Sequence, residues 1–230
     1  MTLEELKSGK MLLMDKPLNW TSFDVVNKIR YSILKKYNLK KFKVGHAGTL
    51  DPLATGLLII CLGKATKSIE EYQALEKEYT GIITLGATTP SYDLETEIDQ
   101  NFPTNHVTED LIYKTAQAFI GKSWQSPPIY SAIKKNGKKL YEHARKGEHV
   151  EIKKRPIEIF EFEIKQINLP KVSFRAKVSK GTYIRSLAYD FGKKLDSGGY
   201  LSELRRTKIG NFDVNNAIQI RDWLDEIEKY

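Results

Sequence analysis

The chain has 230 residues, of which 40% are hydrophobic and 29% are charged. This length and composition predict a globular protein and exclude a disordered one. The one cysteine, Cys61, excludes an internal disulfide and a cysteine-rich zinc site. No apolar run reaches the ~18 residues of a membrane helix. The charged N-terminus does not resemble a signal peptide, so we expect a cytoplasmic protein.

The net charge is +8, and the basic residues are concentrated in two places. Residues 134–155 hold nine basic side chains against three acidic ones. The second cluster consists of Lys35, Lys36, Lys40, Lys41 and Lys43. Basic clusters attract polyanions, and nucleic acid is the first candidate. A solvated lysine-rich surface is the alternative.

The first half of the chain predicts two helices and two strands. Ser22 is a candidate N-cap for a helix with an apolar stripe. The apolar run Leu57–Leu62 is typical of a buried central strand, and Tyr79–Leu85 predicts another. Thr108 marks the start of a second helix, which is amphipathic.

Residues 124–155 are predicted to form a long segment that extends away from the rest of the fold. They contain paired prolines, an Asn136-Gly137 turn and the main basic cluster, with a short helix around 140–146. We expect this segment to be an arm inserted into one domain that spans residues 1–230.

The last third of the chain predicts strands followed by helices. Residues 157–164 alternate between apolar and polar, but the phase slips between Ile159 and Phe160, which predicts a β-bulge. Residues 172–178 alternate without interruption. Two helical stripes follow, at 184–195 and 217–227. This order favours an α+β fold around a largely antiparallel or mixed sheet.

The segment GHAGTLDPLATG, residues 45–56, is the densest in residues that can carry chemistry. Two glycines bracket His46 and allow tight turns, and Pro52 stiffens the chain directly after Asp51. A carboxylate on such a turn can be held in a fixed geometry at the mouth of a sheet. The alternative is an Asx turn in which Asp51 only caps the loop.

GHAGTLDPLATG followed by CLGKATK resembles the signature of the TruB family, the tRNA pseudouridine-55 synthases. Further segments agree with the family in chain order: Asp15-Lys16-Pro17 with Thr21-Ser22, Lys77-Glu78-Tyr79, residues 127–132 and 141–147, residues 181–185, and Leu204-Arg205-Arg206-Thr207. The resemblance implies a pseudouridine synthase fold, with a central mixed or antiparallel sheet flanked by helices. It also implies that residues 124–155 form a basic thumb that grips RNA.

The resemblance implies an isomerase that converts uridine-55 in the T-loop of tRNA to pseudouridine, without a cofactor or metal. Asp51 would be the nucleophile, attacking either the ribose or C6 of the uracil. Arg185 would be the cation that keeps Asp51 ionised, whereas a surface ion pair is its alternative role.

The same resemblance assigns the binding pocket. Tyr79 would stack on the flipped uracil near the proton that leaves C5, and Tyr183 and Leu204 would line the pocket. His46 would fill the gap that the flipped base leaves. Without the family, Tyr79 is a strand aromatic, Leu204 a core leucine and His46 a loop histidine.

Two departures from the family pattern are visible. Asn19 stands where the N-terminal element usually has glycine, so we expect a positive φ there, which Asn tolerates best after Gly. The sequence also ends shortly after Trp223-Leu224, so we expect the C-terminal PUA-like domain that many members carry to be missing.

The expected partner is the tRNA T-arm, bound by a monomer without an obligatory protein partner and without a membrane. Two other hypotheses remain open from the sequence. One is a non-catalytic tRNA-folding factor, and the other is a guide-RNA-directed relative, which would need protein partners.

Overall fold

The computed structural model of the protein describes residues 2–131, 133–135, 137–148 and 150–229. Of the predicted Asn136-Gly137 turn, Asn136 therefore lies outside the described residues, as does the last residue of motif 127–132. The chain divides into a first unit, Met1–Tyr79 with Leu204–Tyr230, and a second unit, Thr80–Glu203. The chain passes between the two units within two of its strands.

The α-helices are α1 (Leu3–Ser8), α2 (Ser22–Lys36), α3 (Ile69–Ala74), α4 (Glu109–Gln117), α5 (Leu140–Arg145), α6 (Ile184–Lys194) and α7 (Ile220–Lys229). The strands are β1 (Lys10–Lys16), β2 (Val44–His46), β3 (Ala54–Leu62), β4 (Lys77–Leu85), β5 (Ala87–Thr88), β6 (Gln100–Asn101), β7 (Gly121–Gln125), β8 (Lys134–Lys135), β9 (Lys138–Lys139), β10 (Arg155–Asn168), β11 (Lys171–Val178), β12 (Gly199–Ile209) and β13 (Phe212–Asp213).

In the first unit, β3 is the central strand, as its apolar run predicted. It pairs antiparallel with β1 along one edge, from Lys10 opposite Leu62 to Lys16 opposite Gly56. On its other edge β3 pairs with β2, where His46 lies opposite Ile60, and then in parallel with β12. The mixture of parallel and antiparallel pairs, flanked by helices, confirms the α+β class with a mixed sheet.

Helix α2 packs its buried face, which includes Val26, Ile29 and Ile33, into a core shared with β1, β3 and α7. The prediction that Ser22 caps this helix is wrong. Thr21 is the N-cap, and its side chain forms a reciprocal capping box with Asp24. Ser22 is the first helical residue, and its hydroxyl is used elsewhere.

In the second unit the strand order is β12, β4, β11, β10 and β7. The register of β10 against β11 shifts between Ile159 and Glu161, which confirms the predicted bulge at the phase slip. The shift leaves Phe160 pointing outward, 39% exposed, while Ile159 and Phe162 stay in the core. A second shift, between Ile164 and Gln166, was not predicted.

Thr108 caps α4, as predicted, and its side chain accepts a hydrogen bond from the backbone N–H of Leu111. Within the segment predicted as an arm, α5 confirms the short helix, and β8 and β9 form a small hairpin. The ends of the segment are strands rather than loop, because Trp124 belongs to β7 and Arg155 begins β10. The last predicted helical stripe, at 217–227, corresponds to α7, which begins only at Ile220. No helix among the described residues is long and apolar enough to cross a membrane.

Candidate active site

The loop between β2 and β3 carries Asp51 at the edge of the first unit's sheet. The backbone N–H of Ala54 donates to the carbonyl of Asp51 at 3.1 Å, which closes a turn with Pro52 inside it. Asp51 is half-buried, and Leu50 before it is buried. The carboxylate therefore stands on a short turn directly before the central strand.

A side chain and a backbone N–H fix the backbone of this loop on either side of Asp51. The Ser22 hydroxyl accepts from the backbone N–H of Leu50 at 2.8 Å and donates to its carbonyl at 3.2 Å. The backbone N–H of Asn19 donates to the carbonyl of Pro52 at 2.9 Å. Asn19 has φ 64°, which confirms the expected positive φ.

Lys16 is fully buried and binds the same loop. Its Nζ donates to the carbonyls of Pro17 at 2.9 Å and Trp20 at 2.5 Å, and reaches that of Pro52 at 3.4 Å. Burial lowers the pKa of Lys16 to about 8, and the neighbouring charge of Asp51 opposes that shift. The ammonium is therefore held near the candidate nucleophile at a desolvation cost.

Arg206 holds the start of the loop from the β12 side. It is 1% exposed, and it donates from Nε to the carbonyl of Leu57 at 2.8 Å and from Nη2 to that of Gly48 at 3.0 Å. Gly56, with φ 105°, passes so close to the backbone of Arg206 that a Cβ there would collide with it. Glycine is thus required where the loop enters β3.

His46 ends β2, half-buried, two residues before Gly48. Burial lowers the pKa of its imidazole, and the charge of Arg206 lowers it further. The ring is therefore neutral at pH 7. Tyr79 is buried in β4, and Leu204 lies half-buried in β12 opposite Ala54. The first unit thus holds Asp51 and three of the predicted pocket residues.

Arg185 lies in the second unit, 4% exposed, on the first turn of α6. Its Nη1 donates to the carbonyl of Ser91 at 3.2 Å, and its Nη2 to the carbonyl of Tyr130 at 2.9 Å. Its Nε lies 3.6 Å from Oδ2 of Asp93, which is also buried. Arg185 is therefore not part of a surface ion pair, and its pairing with Asp51 stays a prediction.

Tyr183 occupies the N-cap position of α6, and its side chain is half-buried. The buried Gln125 amide donates to the carbonyl of Tyr183 at 3.1 Å and accepts from its N–H at 2.8 Å. The hydroxyl of Ser186 donates to the carbonyl of Ser126 at 2.8 Å. The start of α6 is thus fixed against the end of β7.

For four residues of this arrangement, the sequence predicted no role in the site. Lys16, Ser22 and Arg206 lie inside segments that resemble the family, so the signal was present without a function attached to it. Asp93 lies in a stretch without a motif, and sequence reasoning missed it. Of the four histidines, His149 is outside the described residues.

Two family models match the chain. The model described as TruB family pseudouridylate synthase (N terminal domain) matches residues 35–184. The model described as tRNA pseudouridylate synthase B C-terminal domain matches residues 185–230.

Curated relatives are similar over nearly the whole chain. A protein of Flavobacterium johnsoniae named tRNA pseudouridine synthase B is 63% identical over 221 residues, covering 96% of each chain. A protein of the same name from Phocaeicola vulgatus is 53% identical, again covering 96% of each.

A solved structure is similar in fold as well. The crystal structure of a Cbf5–Nop10–Gar1 complex contains a chain that is 31% identical to this one, with a TM-score of 0.72. The match covers 98% of this chain and 56% of that one, so this chain spans little more than half of its length.

Proposed function

The chain belongs to the TruB family of pseudouridylate synthases, and on that premise we propose that Asp51 is its nucleophile in converting uridine-55 of the tRNA T-loop to pseudouridine. Membership confirms the resemblance seen in the sequence and the expected pseudouridine synthase fold. The protein is a tRNA pseudouridine synthase, an isomerase. The observation that carries the role of Asp51 is the rigid loop on which it stands.

The reaction breaks the N1–C1′ bond, turns the uracil, and joins C5 to C1′, so that a proton leaves C5. A carboxylate nucleophile divides this into two easier steps. Its attack requires the reacting atoms to be held about 3–3.5 Å apart in the correct orientation. The hydrogen bonds on Leu50 and Pro52 supply that rigidity, because they fix the backbone immediately before and after Asp51.

The nucleophile must also remain ionised in a pocket closed by a base. Lys16 supports this, because an attraction that raises the pKa of the ammonium equally favours the charged carboxylate. We assign the same task to Arg185, whose planar guanidinium suits bidentate pairing with a carboxylate. Asp93 then acts as a positioning residue, since it holds Arg185 by a buried ion pair.

The pocket residues keep the roles that the family implies. Tyr79 stacks on the flipped uracil, Tyr183 and Leu204 line the pocket, and His46 fills the space that the base leaves. The neutral imidazole of His46 suits this filling role, because an uncharged ring replaces a stacked base at a lower desolvation cost.

The thumb at 124–155 grips the T-arm of the tRNA. This proposal is supported by the exposed side chains at the base of the thumb. Trp124 is 67% exposed, and Lys122, Lys153 and Lys154 are exposed as well. Exposed aromatic rings stack on unpaired bases while cations bind the phosphates. We further propose that the protein works as one domain and as a monomer, without an obligatory protein partner, in the cytoplasm where its substrate is found.

The test is to incubate the protein alone with an unmodified tRNA transcript and to map pseudouridine by carbodiimide-stop sequencing. We expect modification at position 55 with wild type and none with Asp51→Asn, while tRNA binding survives. The matched control is Asp110→Asn, which makes the same change at an exposed position on α4.

The outcomes separate the three hypotheses. Binding without modification by wild type would support a tRNA-folding factor. Modification only after adding a guide RNA and partner proteins would support the guide-directed class. If Asp51→Asn stayed within about tenfold of wild type, or ~1.4 kcal/mol of barrier, the nucleophile role would be refuted.

A further inference from the structure

The loop between β5 and β6 has a strained residue beside the contacts of Arg185. Tyr92 has φ 65°, a left-handed conformation that a bulky residue rarely adopts. Its neighbours on either side are Ser91, whose carbonyl accepts from Arg185, and Asp93, whose carboxylate pairs with it. The positive φ of Tyr92 therefore sets the angle between these two groups, which contact the guanidinium together with the carbonyl of Tyr130.

Hydrogen bonds hold this loop in place. The carbonyl of Tyr92 accepts from the backbone N–H of Leu201 at 2.9 Å. The hydroxyl of Thr89 donates to the carbonyl of Asp93 at 2.7 Å, and those of Ser91 and Thr96 are 2.8 Å apart. Strained backbone persists only where the surroundings over-determine it, and such sites cluster at active sites.

The ring of Tyr92 adds a second link to α6. It stacks on Tyr189, with ring centroids 4.1 Å apart and planes inclined by 21°. Tyr189 follows Arg185 by four residues, so both side chains project from the same face of the helix. Helix α6 thus contacts the loop at two points, through the guanidinium of Arg185 and, one turn later, through the ring of Tyr189.

We propose that Tyr92 and Tyr189 are positioning residues, which hold the strained loop so that Asp93 and the Ser91 carbonyl present the Arg185 guanidinium in its catalytic orientation. This inference rests on the proposed role of Arg185. Without the stack, the loop loses its contact with Tyr189, and Asp93 and the Ser91 carbonyl shift relative to the guanidinium. Misplacement of this kind costs rate rather than affinity for tRNA.

The stack requires the rings and not the hydroxyl groups. Burial, followed by the proximity of Tyr189, raises the pKa of Tyr92 to about 12, so its phenol stays protonated at working pH. Because the contact is between the two rings, phenylalanine at either position should preserve the stack. Asparagine at position 92 provides a sharper contrast, because it tolerates positive φ but has no ring to stack.

The experiment measures the single-turnover rate and the tRNA Kd for Tyr92→Phe, Tyr92→Asn, Tyr189→Phe, Tyr189→Leu and the double variant Tyr92→Asn/Tyr189→Leu. We expect the Phe variants to keep the wild-type rate. The Asn and Leu variants should lose about tenfold or more in rate with an unchanged Kd. The double variant should be no slower than the slower single variant, because both changes remove one contact.

Arg185→Met in the same assay separates this inference from the proposed function. If Arg185→Met keeps the full rate, the role of Arg185 itself is wrong. If it abolishes the rate while Tyr92→Asn and Tyr189→Leu remain fast, only the positioning role is overturned. A rate loss in the Phe variants equal to that in Asn and Leu would also overturn it.

Discussion

The hydroxyl of Ser22 both accepts from and donates to the backbone of Leu50, although 28 residues separate the two. The first residue of α2 is thereby tied to the residue immediately before Asp51. Since Ser22 is buried, water cannot replace either hydrogen bond. The stability of the fold and the position of Asp51 thus both depend on this side chain.

Ser22→Ala is predicted to lower both stability and activity. It leaves two backbone groups of Leu50 without this partner, at a cost of about 1–3 kcal/mol for each group. Loosening of the loop should also lower the single-turnover rate at saturating enzyme. Urea unfolding and rapid-quench assays on the same preparations measure the two effects.

Thr21→Ala is the matched control. It removes the N-cap of the same helix, at a cost of about 0.5–2 kcal/mol, but leaves Leu50 untouched. It should therefore unfold at lower urea while keeping the wild-type rate. Equal rate losses in the two variants would show that only the stability of α2 matters.

Because Lys16 is buried, we predict that the free energy of unfolding and the single-turnover rate change in opposite directions with pH. Its pKa is about 8 in the folded protein against an ordinary 10.5, so the unfolded chain binds more protons between these values. The free energy of unfolding should therefore rise as pH increases through that window, because the cost of burying the ammonium is relieved. The single-turnover rate should fall above pH about 8, since a neutral Lys16 no longer supports the charge of Asp51.

Lys16→Met provides the comparison. Denaturant midpoints at pH 7 and 10 should differ less in this variant than in wild type, and its rate should lack the decrease near pH 8. Parallel pH curves for the two proteins would mean that Lys16 does not titrate in this window.

His46 is predicted to act by its shape. Because its pKa is lowered below the ordinary 6.5, it is neutral across pH 6.5 to 8 and its charge cannot be needed there. His46→Gln and His46→Phe should keep substantial kcat/KM with an unchanged pH profile, whereas His46→Gly should lose more. On a minihelix with the target base already unpaired, the loss in His46→Gly should shrink, since the unstacking cost of a few kcal/mol is already reduced in that substrate. An equal loss on both substrates would assign His46 to chemistry or folding.

The local geometry of the fold could be predicted wherever the cause is local. The bulge after Ile159 follows from a slip in a two-residue period, and the positive φ of Asn19 follows from a turn that normally requires glycine. The N-cap of α2 also has a local cause that the prediction missed: Asp24 stands three residues after Thr21, the spacing of a capping box, whereas Val25 stands at that spacing from Ser22.

The side-chain hydrogen bonds that hold the candidate site could not be predicted, because they join residues that are far apart in the chain. Lys16 reaches the carbonyl of Pro52, 36 residues away, and Arg206 that of Leu57, 149 residues away. Side-chain bonds to distant backbone carbonyls leave no periodic or compositional trace in a sequence. Asp93 is the clearest case, because nothing near it indicates a partner on α6.

The exposed ring of Trp124 is predicted to contact tRNA. It projects from β7, the outermost strand of the second unit's sheet, opposite Pro156 and on the same face as Lys122. An indole that is 67% exposed on a rigid strand can stack on an unpaired base without ordering a loop. Such a stack contributes about 1–3 kcal/mol. Trp124→Ala should therefore raise the tRNA Kd by about five- to a hundredfold.

The matched control is Tyr113→Ala, which removes a 47% exposed ring from α4 in the same unit and should leave the tRNA Kd unchanged. Filter binding over a salt series measures both, and because no cation is removed, the salt slope of Trp124→Ala should match wild type. An unchanged Kd for Trp124→Ala would place the tRNA elsewhere on this unit.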